Sequence, residues 1–272
     1  MSHMINSKEH GLSMIELLIA LAISSFLILG ITQIYIDNKR NYLFQQTQAA
    51  NQENLRFLDL LLSQYINKAG FRRSPLQDPV VAFPAETVGG DTGCVFKSEQ
   101  SIVPTKDHTG ICIRYYPLLA NELDCTGSTP TLSAGASPFE SSGSHIVMIL
   151  RYNAANDLNG TLTCQVDNRS AEIVTGIADF RFNFGISMSA DRQVDTLVAI
   201  NDNQAKEKRI MQVNYSALMA SGNNVRSSTD SIALTNWKTD TTTAELARLT
   251  AGDKGQIFQI ASNTFTLRNQ MP

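Results

Sequence analysis

Twenty residues from Leu17 to Ile36, LLIALAISSFLILGITQIYI, carry no charge. A run of that length crosses about 30 Å of hydrocarbon as an α-helix. It is longer than the apolar part of a cleaved secretory signal. It is also followed by Asp37, Asn38, Lys39 and Arg40 rather than by a small-residue cleavage site. No second run of this length follows, which excludes a polytopic transporter or channel. The remaining composition is that of a folded, water-facing protein. Of 272 residues, 43% are hydrophobic, too many for a disordered chain. A net charge of -3 argues against a generally basic nucleic-acid binder.

One residue makes this segment unlike a plain anchor. Glu16 lies inside the apolar segment, four residues after Leu12 and directly before Leu17. A carboxylate inside a membrane helix costs at least ~2.5–3.5 kcal/mol, so it is expected to have a partner. The stretch Gly11-Leu12-Ser13-Met14-Ile15-Glu16-Leu17, after a polar leader carrying Lys8, Glu9 and His10, resembles the prepilin signal of type IV pilins and type II secretion pseudopilins. The resemblance implies cleavage between Gly11 and Leu12 by a dedicated peptidase. Leu12 then becomes the N-methylated terminus, where the family more often has Phe or Met. It places Glu16 at the fifth position of the mature chain. There its carboxylate can pair with the new amine of a neighbouring subunit, because burying a charge pair costs much less than burying one charge alone.

The helix is expected to continue past the membrane. No proline occurs before Pro75. Leu55, Leu58, Leu62, Tyr65/Ile66 and Ala69 recur at helical spacing on one face. Gly70 is the expected stop. A helix from Leu12 to Ala69 would be about 87 Å long at about 1.5 Å per residue. Gly30 is either a site of local bending or a tolerated glycine.

From Phe71 onward, short β-rich runs separated by Gly, Pro, Ser, Thr and Asn replace helical periodicity. Residues 71–142 read as loops with a few short strands, such as Gly110 to Tyr116. Thr126 to Gly143 reads as a polar loop. His145 to Tyr152 reads as a strand, turned at Asn159-Gly160 and returned by Thr161 to Val166. Phe180, Phe182 and Phe184 alternate with polar residues, so one aromatic face should enter a core. Ile210 to Ala220 fits a strand or a short helix, and Glu245 to Leu249 a weak helix. Ile257 to Ile260 and Phe265 to Leu267 fit closing strands. The expected fold is α+β, with a long N-terminal helix packed on an antiparallel sheet.

Two later stretches narrow the resemblance. Ile177 to Gly185 resembles the V-x-D-F-x-F-x-Y-G strand of PilW-type minor pilins and J-type minor pseudopilins. Thr266-Leu267-Arg268-Asn269 resembles the close of PilW-like chains. The implied division is a leader over 1–11, a transmembrane half-helix over 12–36, an amphipathic half over 37–70 and a β-rich head over 71–272.

Cys94, Cys112, Cys125 and Cys164 all follow the apolar segment, where export would place them in an oxidising compartment. Four cysteines allow three pairings. Cys94–Cys112 with Cys125–Cys164 is preferred, because the first closes a short loop and the second ties the polar loop to a strand. Each would contribute ~3–4 kcal/mol on the chain-entropy model. Metal binding is disfavoured, since no C-x-x-C occurs. His108 and His145 are the histidines left after cleavage, and no G-x-S-x-G elbow accompanies them. Asp157-x-Asn159-Gly160 lacks the acid at Ala155 and the glutamate at Val166 that a calcium loop requires, so a turn explains it better. Asn201 to Asn203 with Lys206, Lys208 and Arg209 reads as a solvated loop. No enzyme, cofactor or metal is expected.

The resemblance implies a structural subunit of a type IV pilus that helps prime assembly near the filament tip. It would support twitching motility, adhesion and DNA uptake. It implies residence in the bacterial inner membrane with the head in the periplasm, then in an extracellular pilus. The implied partners are minor and major pilins, the prepilin peptidase, the inner-membrane assembly platform and, before assembly, membrane lipid. No direct nucleic-acid contact is expected. A J-type minor pseudopilin of a type II secretion system shares every N-terminal feature.

Overall fold

The computed structural model describes residues 13–119, 121–129, 144–189, 193–226, 228 and 230–270. Residues up to 46 and residues from 47 onward form two compact units. Helix α1 (Met14–Ile66) contributes to both.

In the first unit, every residue from Ser13 to Tyr42 is exposed. Its hydroxyls turn back onto the helix, with Ser24 donating to the Ala20 carbonyl at 2.6 Å and Thr32 to the Ile28 carbonyl at 2.7 Å. This leaves few unpaired polar groups, which is what lipid demands. The helix runs through Gly30, where a Cβ would meet nothing within 4 Å. Gly30 is thus a tolerated helical glycine.

The second unit is an α+β fold. In chain order after α1 come α2 (Pro79–Ala82), β1 (Glu86–Val88), β2 (Cys94–Phe96), β3 (Ile102–Pro104), β4 (Gly110–Tyr115), β5 (Ile146–Asn153), β6 (Gly160–Val166), β7 (Arg169–Ser187), β8 (Thr196–Ala199), α3 (Asn203–Glu207), β9 (Arg209–Asn224), α4 (Ile232–Lys238), α5 (Thr243–Gly252) and β10 (Gln256–Thr266). The main sheet is antiparallel, in the order β10-β9-β7-β6-β5-β4-β3, with β8 pairing the far end of β7. Strands β1 and β2 make a separate pair.

The period-two pattern of β7 places Phe180, Phe182 and Phe184 in the main core. There they meet Leu58, Leu62, Tyr65 and Ile66 of α1. Phe180 stacks on Tyr215 at 5.8 Å, and Tyr215 on Phe265 at 5.9 Å. A smaller core forms around Ala178, Leu218 and Phe258, against Leu234 and Trp237 of α4 and Leu249 of α5. Thr242 and Glu245 form a reciprocal capping box that starts α5.

Several expectations change in detail. The described helix ends at Ile66, and the turn that follows reaches Gly70, whose φ of 73° is left-handed. The chain reversal after β5 is not a two-residue Asn159-Gly160 turn. Asn153 pairs with Thr161 and β6 begins at Gly160, so the loop spans residues 154–159. Leu158 takes the left-handed conformation at φ 63° and is buried, while the Asp157 carboxylate accepts from the Asn159 N–H at 3.1 Å. Gly160 already lies in β6, where a Cβ would sit 2.6 Å from the Ile177 carbonyl oxygen. Ile210 to Ala220 is strand, within β9. The two closing strands are one continuous strand, β10. Asp202 to Arg209 is not a solvated loop, although Asn201 stays exposed in the turn before it. Asp202 caps α3, Ala205 is buried, Lys97 pairs with Glu207 and Arg209 with Glu99. Of the expected loop Thr126 to Gly143, residues 130–143 lie outside the described residues.

Candidate assembly site and the seat of the helix

Ser13 precedes the first helical residue, and its N–H donates to Glu16 Oε2 at 3.1 Å. That is half of a capping box. A carboxylate in the first turn also opposes the positive end of the helix dipole. Glu16 thus has a local partner at the helix end, and it remains exposed. Gly11 and Leu12, the expected cleavage pair, lie outside the described residues. Met14 is 82% exposed and Phe26 76%, on a helix apolar around its whole circumference. A helix of this kind needs lipid or other helices around it. Among the described residues, α1 is the helix long and apolar enough to cross a membrane.

From Thr47 the same helix becomes one-sided. Thr47, Asn51, Leu58, Leu61, Leu62, Tyr65 and Ile66 are buried. Polar bonds fix its register on the sheet. Asn51 Nδ2 donates to the Ile257 carbonyl at 3.2 Å. Asp59 Oδ1 accepts from Tyr215 Oη at 2.9 Å and from Asn263 Nδ2 at 2.8 Å. Burial, and then the Asp59 carboxylate beside it, raise the Tyr215 phenol above its ordinary value.

The end of the chain secures the end of the helix. Asn269 Nδ2 donates to the carbonyls of Asn67 at 2.9 Å and Ala69 at 3.1 Å, which no longer have helical donors. Gln270 Nε2 donates to Ser101 Oγ at 2.7 Å, and the Leu267 N–H to the Met211 carbonyl at 2.8 Å. The sequence reading singled out Thr266 to Asn269 by resemblance. It missed this capping role, because the contacting residues are some two hundred positions apart.

Two disulfides and two ion pairs hold the loops beside β4 and β5. Cys94 joins Cys112 and Cys125 joins Cys164, each pair with Cα atoms 6.1 Å apart. Lys68 Nζ meets Glu122 Oε1 at 2.5 Å, and Arg169 Nη2 meets Asp124 Oδ2 at 2.9 Å. Burial alone would raise the Asp124 carboxyl. Hydrogen bonds from Thr126 and Ser128 and the Arg169 charge outweigh it and hold the group below its ordinary value. Arg114, fully buried, donates to the carbonyls of Pro84 at 2.6 Å, Phe83 at 3.0 Å and Lys97 at 3.0 Å, and lies 4.5 Å over the Phe96 ring.

The histidines are tied into these loops. His145 Nε2 lies 2.6 Å from Glu86 Oε1. His108 Nε2 accepts from Lys206 Nζ at 3.3 Å, which leaves Nδ1–H to donate to the Ile200 carbonyl at 3.0 Å. Among the described residues, neither is bonded to a serine or cysteine side chain.

Residues 6–32 match the prokaryotic N-terminal methylation motif. Among solved structures, the chain is similar to a type IV-like pilin from Thermus thermophilus, at 10% identity, over 81% of this chain and 98% of that one, with a TM-score of 0.38. No curated protein matches the chain.

Proposed function

We propose that this chain is a minor pilin of the PilW type, a structural subunit that helps prime a type IV pilus and sits at or near its tip. The observation that carries the reading is the methylation motif over residues 6–32, running into a helix exposed and apolar on all sides. In this reading residues 1–11 are a leader removed by the prepilin peptidase. Residues 12–36 hold the subunit in the inner membrane, with the head in the periplasm. When the subunit leaves the membrane, the same apolar surface is buried between the helices of neighbouring pilins. The two environments present the helix with similar solvents, so extraction costs little hydrophobic energy. Glu16 provides register: its carboxylate pairs with the methylated amine of Leu12 on an adjacent subunit, and a shift along the axis would leave both charges buried alone. The head, over 71–272, supplies the contacts that set its place among other minor pilins. The role is structural, with no catalytic step.

A deletion strain tests the proposal against the pseudopilin alternative. Loss of surface pili and twitching with enzyme secretion intact is the expected result. Loss of secretion with normal pili would contradict it and place the chain in a type II secretion system.

A further inference from the structure

The sheet face that carries Asp179, Arg181 and Asn183 of β7 is covered by α4 and α5 only where the smaller core lies. Beyond that core it opens into a cleft of about 680 Å³. Small-molecule sites commonly occupy ~300–1,000 Å³. Arg181 and Asn183 line its β7 side, Asn236, Asp240 and Glu245 its α4–α5 side, and Asn201 the opposite loop. A second hollow of about 260 Å³ shares Arg181 and Glu245 with it. It opens where β6 has left β7, after the Gly160–Ile177 pair, and β8 has not yet joined it, at the Ala199–Asn183 pair.

We infer that this cleft binds a neutral mono- or disaccharide, a site independent of the assembly reading. Charge is the first argument. The lining carries one arginine and two carboxylates, Asp240 and Glu245, with His108 turned to Lys206 and the Ile200 carbonyl, a balance that disfavours phosphate- or sulfate-bearing ligands. Hydrogen-bonding capacity is the second. Among the described residues, the side-chain amides of Asn183, Asn201 and Asn236 take no hydrogen-bond partner, and Asn183 is half-buried. Each amide offers two donors and an acceptor, the complement of paired hydroxyls or an acetamido group. Preorganisation is the third. Arg181 lies 4.3 Å over the Trp237 ring and donates to the Trp237 carbonyl at 3.3 Å, with Asp179 Oδ2 at 3.5 Å. Asp179 is itself held by Trp237 Nε1 at 2.7 Å and Arg248 Nη2 at 2.9 Å. The guanidinium therefore presents its remaining donors from a fixed position, at little entropic cost on binding. With the indole face taken, Ile260, 43% exposed, supplies the apolar contact for a ring face.

The test uses the full chain in detergent and saturation-transfer NMR with N,N′-diacetylchitobiose and cellobiose, each up to about 10 mM, a range that detects millimolar Kd. A fully sulfated heparin disaccharide and a neutral pentapeptide serve as comparison probes. The expected result is binding of at least one neutral disaccharide, weakened about tenfold or more in an Asn183→Ala/Asn236→Ala variant with unchanged Tm. If that variant melts early, Asn201→Ala on the exposed loop must show the loss instead. The inference is overturned if neither neutral sugar binds, if only the sulfated sugar or the peptide binds, or if binding survives the substitutions.

Discussion

At the residue scale, Glu16 makes one local bond, and the proposed pairing would add a second role that a different measurement reads. Its bond to the Ser13 N–H is local and modest, and losing it should cost ~0.5–2 kcal/mol of helix-end stability. Its proposed pairing with Leu12 of a neighbour matters only in the filament. Glu16→Ala should therefore be cleaved between Gly11 and Leu12 at a normal rate yet be depleted from sheared pili. Normal content of the variant in pili, measured against the major subunit, would sink the pairing argument. Asp124 offers a second residue-level test, with a defined pH dependence. Its folded pKa lies below the ordinary 3.8, so the stability it contributes is fully present above that value. That stability is lost as pH falls through the lower, folded value. Asp124→Asn should cost ~1.5–3 kcal/mol at neutral pH, the range for hydrogen bonds to a charged group. The gap between variant and parent in urea melts should close on acidification below the ordinary carboxyl value. A gap that stays constant down to strong acid would mean that the carboxylate charge is not what holds this loop.

At the element scale, the second part of α1 and the strand β7 share one core, and each depends on the other's spacing. Leu62→Ala removes a fully buried side chain of the main core, which also holds Phe180 and Tyr215, and should cost ~2–5 kcal/mol in a thermal or urea melt. Leu60→Ala, whose parent side chain is 67% exposed two residues away, should cost far less. Equal costs would mean that the stripe does not define the seat. Replacing Cys125 and Cys164 by serine together should cost ~2–5 kcal/mol, because the link closes a loop of 39 residues in the unfolded chain. The features legible in the sequence here are those written at short range. The stripe Leu58, Leu62, Ile66 and the alternation Phe180, Phe182, Phe184 repeat with the period of their element, so each declares its buried face. What was illegible depends on distant partners. Asp179 sits in a strand between apolar residues and reads as solvent-facing. It is buried because Trp237 and Arg248, 58 and 69 positions away, supply its hydrogen bonds. Asn159-Gly160 reads as a tight turn, yet Gly160 is needed inside β6 for close approach of the Ile177 backbone. Helix α4 was missed because only seven residues form it, around a Trp237 whose burial comes from the sheet.

At the scale of the whole molecule, the chain is divided into two compact units that differ in what they expose. Up to residue 46 the helix exposes its apolar side chains and offers no core of its own. From residue 47 onward, a helix stripe, an antiparallel sheet, two disulfides and a capped C-terminal end build an independent α+β unit. In the proposed reading this division suits a subunit that waits in lipid and then trades lipid for other helices, with the amine made by cleavage as the charge that Glu16 would meet. Intact-mass and N-terminal peptide mass spectrometry of the protein purified from its native membrane test this most directly. The account predicts a chain that begins at Leu12, carries one added N-methyl group and lacks residues 1–11. An intact leader, or a terminus at any other residue, would contradict it.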